Sequence, residues 1–128
     1  MSYYFSKNLA ISLEKALARV AEELKKEGFG ILTEIDVKET LKKKLNVDFR
    51  EYRILGACNP PFAYKALQAE DKIGLMLPCN VIVQEVSGGK VEVSAIDPVA
   101  SMQALDNPKL MEVAEQVRTK LENVIKKL

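Results

Sequence analysis

Two runs of alternating apolar and polar residues, Leu75 to Val86 and Lys90 to Ile96, are joined by Ser87-Gly88-Gly89. That junction constrains the fold more than any other stretch. Glycine reaches positive φ without steric cost, so Gly-Gly between alternating runs marks a hairpin with antiparallel arms. Pro78 lies inside the first run and has no N–H to give a ladder, so pairing is expected from Cys79 to Val86. Asp97-Pro98 ends the second arm, and Val99 to Asp106 reads as a loop with at most one helical turn.

The segments around the hairpin alternate between the two periods. Tyr3 to Leu9 reads as an opening strand. Ser12 caps a helix whose Leu13, Ala16, Leu17, Val20, Ala21 and Leu24 share one face, with Glu22, Glu23, Lys25 and Lys26 turned to water. Gly28 is the expected left-handed stop, and Phe29 folds back onto the last turn. Ile31, Thr33, Ile35 and Val37 alternate with Glu34 and Asp36 as a half-exposed strand. Lys38 to Leu45 forms a short helix that Asn46 stops, its lysine run a solvated face. Tyr52 to Cys58 is a further strand.

Asn59-Pro60 then starts a helix with Phe62, Ala63, Ala66 and Leu67 as its buried stripe. Asn107-Pro108 starts the last one, with Leu110, Val113, Ala114, Val117, Leu121, Val124, Ile125 and Leu128 on one face. An antiparallel sheet with amphipathic helices on one face makes an α+β sandwich. No linker divides residues 1–128, so they form one domain.

Composition narrows the chemistry. Of 128 residues, 48% are apolar and 29% charged, the profile of a globular domain, and no run approaches the roughly 18 apolar residues of a membrane span. Met1 to Ser6 lacks the basic and apolar regions of a secretory leader, so a cytoplasmic protein is expected. A net charge of +1, with both signs interspersed, gives no basic face for nucleic acid. Histidine is absent, which excludes Ser-His-Asp and Cys-His pairs and imidazole ligands. Two cysteines are too few for a disulfide scaffold or a zinc site within one chain.

Those two cysteines, each followed by asparagine, are the candidate reactive atoms: Cys58-Asn59 at a strand end, and Cys79-Asn80 after Pro78. A helix N-terminus favours negative charge, so Cys58 is placed where a thiolate would be stabilised. If Cys79 lies on the neighbouring strand, the two thiols form a redox pair or a soft two-coordinate site. Buried cysteine is equally at home as a small apolar side chain. Arg53 is a candidate clamp for an anionic ligand, and Tyr64 a candidate hydrogen-bond donor beside it. Glu34, Asp36, Glu85, Glu92 and Asp97 read mainly as the wet side of a sheet, any two of which would have to converge for acid–base work.

Gly56-Ala57-Cys58-Asn59-Pro60 with Ala63, Ala66 and Leu67, then Gly74 to Val83 containing Pro78-Cys79-Asn80, then Asp97-Pro98 and the long closing helix, resemble the family called domain of unknown function 302. The resemblance covers nearly the whole chain. It implies a curved antiparallel sheet of about five to six strands backed by two main helices and a short third, similar to the TATA-binding-protein-like β-α-β4-α arrangement. It also implies a homodimer, and it implies no activity. The apolar stripe of the last helix either exceeds what its own sheet covers, which points the same way, or simply packs on that sheet.

Three functional readings follow. The first is a small cytosolic homodimer that binds a small molecule or ion near Cys58, Asn59, Cys79, Asn80, Arg53 and Tyr64. The second is a thiol enzyme with Cys58 as nucleophile or redox thiol and Cys79 resolving. The third is an interaction domain with both cysteines in its core. The partner expected is a second copy, with neither nucleic acid nor membrane, and the residues name no cofactor.

Overall fold

The computed structural model describes residues 2–128. Five strands, β1 (Tyr4–Leu9), β2 (Gly30–Asp36), β3 (Tyr52–Cys58), β4 (Cys79–Val86) and β5 (Lys90–Ile96), form one antiparallel curved sheet in the order β1-β5-β4-β3-β2. Two long helices, α1 (Leu13–Lys26) and α5 (Pro108–Lys126), lie across one face of it. Three shorter ones, α2 (Val37–Leu45), α3 (Pro60–Ala69) and α4 (Pro98–Met102), fill connections. Setting those three aside leaves one strand, a helix, four strands and a helix, the arrangement the resemblance implies.

Local chemistry places each boundary. Gly88 and Gly89 turn the β4–β5 hairpin at φ +83° and +71°. Ser12 accepts the Lys15 N–H and opens α1. The Gly28 N–H reaches the Lys25 carbonyl and the Phe29 N–H the Leu24 carbonyl, which closes α1 as a Schellman motif and buries Phe29. A turn of 3₁₀ helix at Ile73–Met76, unexpected from the sequence, precedes Pro78 and delays β4 to Cys79.

The core lies between the sheet and α1 with α5. Val20 and Leu24 of α1 and Leu121 and Val124 of α5 meet Val81, Val83, Val93 and Ala95, all fully enclosed. Each valine or leucine so buried is worth about 1.5–3 kcal/mol. Of the two readings of the α5 stripe, packing within its own chain is the one observed: Leu110, Ala114, Val117, Leu121, Val124 and Ile125 are buried. On α1, Leu13, Ala16, Val20 and Leu24 of the expected stripe are buried and Leu17 is half-buried, with one departure at its flank. Ala21 is exposed, and Glu23 is buried with its carboxylate on Lys26 at 3.0 Å.

The β2 flank differs most. Ile31 pairs with Ala57 but Thr33 with Gly56, so a bulge at Leu32 puts Ile31 and Thr33 on opposite faces rather than together. The strand stands at the sheet edge, with no residue buried, and α2 after it buries none either. Ile31, Leu32, Ile35, Leu45 and Val47 are left exposed there.

Candidate functional site

At the end of the sheet where β3 stops and β4 starts, a cavity of about 270 Å³ opens between the strand ends, α3, α4 and α5. Its wall is almost entirely apolar: Phe29, Phe62, Ala63, Ala66, Leu77, Pro98, Met102 and Val113 among others, with Leu32 and Leu67 also lining it. The α3 stripe expected in the core is therefore a cavity wall. Only Ala66 of it is buried, while Phe62 and Ala63 are half-buried and Leu67 is exposed.

Cys58 and Cys79 both line this cavity, as free thiols. Cys79 sits directly opposite Ala57 in the ladder, so the two cysteines occupy successive positions on adjacent strands. Cys79 is buried and Cys58 half-buried. Burial, and then the neighbouring Cys58, push the Cys79 thiol from an ordinary 9.0 up to about 11. At neutral pH Cys79 is therefore a protonated, apolar-natured wall residue, which suits neither a nucleophile nor a thiolate metal ligand.

Asn59 also lines the cavity, but not in the role its position suggests. It stands at the N-cap of α3, yet its side chain makes no capping bond. Its Nδ2 instead donates to the carbonyl of Glu27 at the end of α1, at 3.1 Å. The next two residues, Pro60 and Pro61, have no N–H, so the first turn of α3 lacks two of the donors an anion or thiolate would use. The start of α3 therefore offers a thiolate fewer donors than an ordinary helix N-terminus does. Asn107, the second Asn-Pro site, does both jobs: its Oδ1 accepts the Leu110 N–H at 3.2 Å and its Nδ2 donates to the Ala69 carbonyl at 2.8 Å.

Gly56 shapes the approach. A Cβ there would stand 2.3 Å from Thr33 Oγ1 and 2.8 Å from Pro78 Cγ, so only glycine lets Thr33 and the Pro78 ring close over β3.

The other three candidates lie away from the cavity. Asn80 points to the opposite, uncovered face of the sheet, as strand alternation from Cys79 requires. Tyr64 is exposed on the outer side of α3. Arg53, rather than waiting for an anion, is held by its own chain: Glu34 at 2.7 Å, Asp36 at 3.4 Å and Glu51 at 4.0 Å. Of the carboxylates, Asp97 is buried, caps α4 through the Val99 N–H and meets Arg118 Nε at 3.2 Å. Glu34 and Asp36 converge only on Arg53. Among the described residues no group of three or more His, Cys, Asp or Glu is arranged to hold a metal, and no helix is long and apolar enough to cross a membrane.

Sequence reasoning missed Phe29, Leu77, Met102 and Val113 as site residues. Their only signal was apolar character, which core and cavity walls share.

The model of the family described as domain of unknown function DUF302 matches residues 5–128. Among solved structures, the crystal structure of an uncharacterized conserved DUF302 protein from Bacillus stearothermophilus matches with a TM-score of 0.91 and 26% identity, covering 99% of this chain and 98% of that one. None of the curated proteins matches the chain.

Proposed function

Since the chain belongs to the DUF302 family, whose description names no activity, its function is to be read from its own geometry, and we propose that it binds a small apolar molecule in the cavity beside Cys58 and Cys79. The observation that carries this is the cavity itself: about 270 Å³, close to the lower end of ordinary ligand sites, with an almost wholly apolar wall. Asn59 Oδ1, engaged in no capping bond, is the polar group available to orient a guest. An ion fits this wall poorly, because an unpaired charge there would lose its hydration with nothing to replace it. Cys79, which holds its proton at neutral pH, is poorly suited to the resolving role a thiol enzyme would ask of it. Calorimetric titration with indole, a bicyclic probe of suitable size, tests the reading. Saturable binding with a negative heat-capacity change supports it, and no saturable heat at any temperature rejects it.

The homodimer enters the proposal on a different surface from α5. The exposed apolar side chains of β2 and α2, on an edge strand that no element of the chain covers, support self-association there.

A further inference from the structure

The face of the sheet opposite α1 and α5 holds a second concavity, of about 400 Å³, lined by Tyr4, Tyr52, Asn80, Gln84, Glu92 and Ser94. Its size falls within the range of small-molecule sites, and its wall, which also includes Ile82, Ala95 and Ile96, carries more polar surface than the first cavity's. A hydrogen-bonded chain crosses its floor. Arg50 Nε donates to Gln84 Oε1 at 2.8 Å, which fixes the amide so that Gln84 Nε2 donates to Glu92 Oε1 at 3.0 Å. Ser94 Oγ donates to the same Oε1 at 3.5 Å. Both bonds thus fall on one carboxylate oxygen, and among the described residues none donates to Oε2.

Glu92 is half-buried, and among the described residues it forms no ion pair. Arg50 reaches it only through Gln84, with its guanidinium resting over Phe49 at 4.5 Å and Tyr52 at 5.4 Å. Lys90 shares the face two residues before Glu92 and makes no ion pair with it. A negative oxygen in a concave, aromatic-walled floor lacks a positive partner. The faces of tyrosine rings attract cations for the same electrostatic reason. Tyr4, which meets Tyr3 edge-to-face at 5.0 Å between ring centres, and Tyr52, whose ring already carries Arg50, line the concavity.

We propose that this concavity is a binding site for a small organic cation, an amine or quaternary ammonium, with Glu92 Oε2 as counter-charge and Tyr4 and Tyr52 as walls. The proposal is independent of the apolar cavity on the other face.

The test is an amide NMR titration of the full chain with tetramethylammonium chloride, run beside sodium chloride at equal ionic strength and beside glucose. Expected are saturable shifts at Gln84, Glu92 and Ser94 that sodium chloride does not produce. Glu92→Gln keeps the size of the side chain and removes its charge; it should weaken binding roughly tenfold. Tyr4→Leu, at an exposed ring, should weaken it as well and serves alone if Glu92→Gln disturbs the fold. Gln116→Ala, exposed on α5, should leave it unchanged. Shifts shared with sodium chloride, affinity unaltered in both variants, or glucose shifting these amides where tetramethylammonium does not, would each overturn the assignment.

Discussion

Asn59 reaches back thirty-two positions to donate its Nδ2 hydrogen to the carbonyl of Glu27, at 3.1 Å, and so ties the start of α3 to the end of α1. The contact is close-fitting: a Cβ on Gly28 would stand 3.1 Å from that nitrogen. Gly28 is thus glycine twice over, for its φ of +88° and for the space Asn59 occupies.

This relationship predicts an inversion of the usual capping order. At an ordinary N-cap aspartate replaces asparagine without loss. Here aspartate has no N–H for Glu27 and would aim a carboxylate at a carbonyl oxygen. Asn59→Ala should lower stability by about 1–3 kcal/mol, the cost of an unmade buried hydrogen bond, and Asn59→Asp by more. Urea denaturation of both variants measures this; an aspartate variant as stable as wild type would show that capping is the role after all.

Gly56 gives a second prediction. Alanine there meets the Pro78 ring and the Thr33 hydroxyl at sub-contact distance. Thr33 can rotate, but the proline ring cannot. Gly56→Ala should cost about 1–3 kcal/mol, the range for overpacking, and Gly56→Ala with Thr33→Ala, which removes the hydroxyl, should not recover it, because the Pro78 contact remains. Full recovery in the double variant, read from thermal melts, would assign the strain to Thr33.

Cys79 makes stability depend on alkaline pH. Its folded value of about 11 lies above the ordinary 9.0, so the folded state holds the proton more tightly than the unfolded state. The contribution is complete below about pH 9, and is lost as pH rises towards 11. Two units correspond to about 2–3 kcal/mol at most. Lysines and tyrosines titrate in the same window, so the quantity to measure is the difference between wild type and Cys79→Ala in denaturant unfolding across it. Wild type should lose stability more steeply than the variant. Parallel slopes would mean that the buried thiol does not govern this window.

How far the sequence could be read divides along a physical line. Period and capping chemistry report which residues share a face and where an element stops, and these were legible: the hairpin at Gly88-Gly89, the Schellman end at Gly28, the β3 limits at Tyr52 and Cys58, and β4 from Cys79. What lies opposite a face is set by tertiary packing, and periodicity is silent on it. Phe62 and Ala63 therefore read as core when they bound a cavity, and the α5 stripe fits a partner and its own sheet equally well until the sheet is seen to cover it. Ile31 was misplaced because a one-residue bulge at Leu32 reverses everything before it. Asn59 and Asn107 were recognisable as helix starts, but their bonds to Glu27 and Ala69 join residues distant in the chain. Cys58, Asn59 and Cys79 were found together because the turn from β3 to α3 and the β3–β4 register bring them together. Asn80, Arg53 and Tyr64 were grouped with them by sequence proximity alone.

The exposed flank yields a prediction about assembly. Leu45 is 66% exposed and Val47 44%, and neither lines the apolar cavity. If β2 and α2 meet a second copy over roughly 1,200 Å² or more, sedimentation at micromolar concentration should show a dimer. Leu45→Glu with Val47→Glu should convert it to a monomer with little change in the fold, as judged by circular dichroism. A monomeric wild type would end the homodimer reading.

The cavity prediction separates a ligand site from a packing defect. Ala63 is half-buried on α3 with its methyl lining the cavity, so leucine there projects into the empty volume without leaving helical geometry or losing propensity. If the space is merely imperfect packing, Ala63→Leu should stabilise the protein, by up to about 1–2 kcal/mol as new contacts form, and no binding would exist to be affected. If the space is a ligand site, the same substitution should weaken indole binding at least tenfold, about 1.4 kcal/mol, while stability holds or rises. Leucine occupies volume that the guest needs, and it leaves Asn59 and both thiols in place. Calorimetry and thermal melting on one preparation read the two quantities together. Indole binding unaltered by leucine at this position would put the bound probe somewhere other than this cavity.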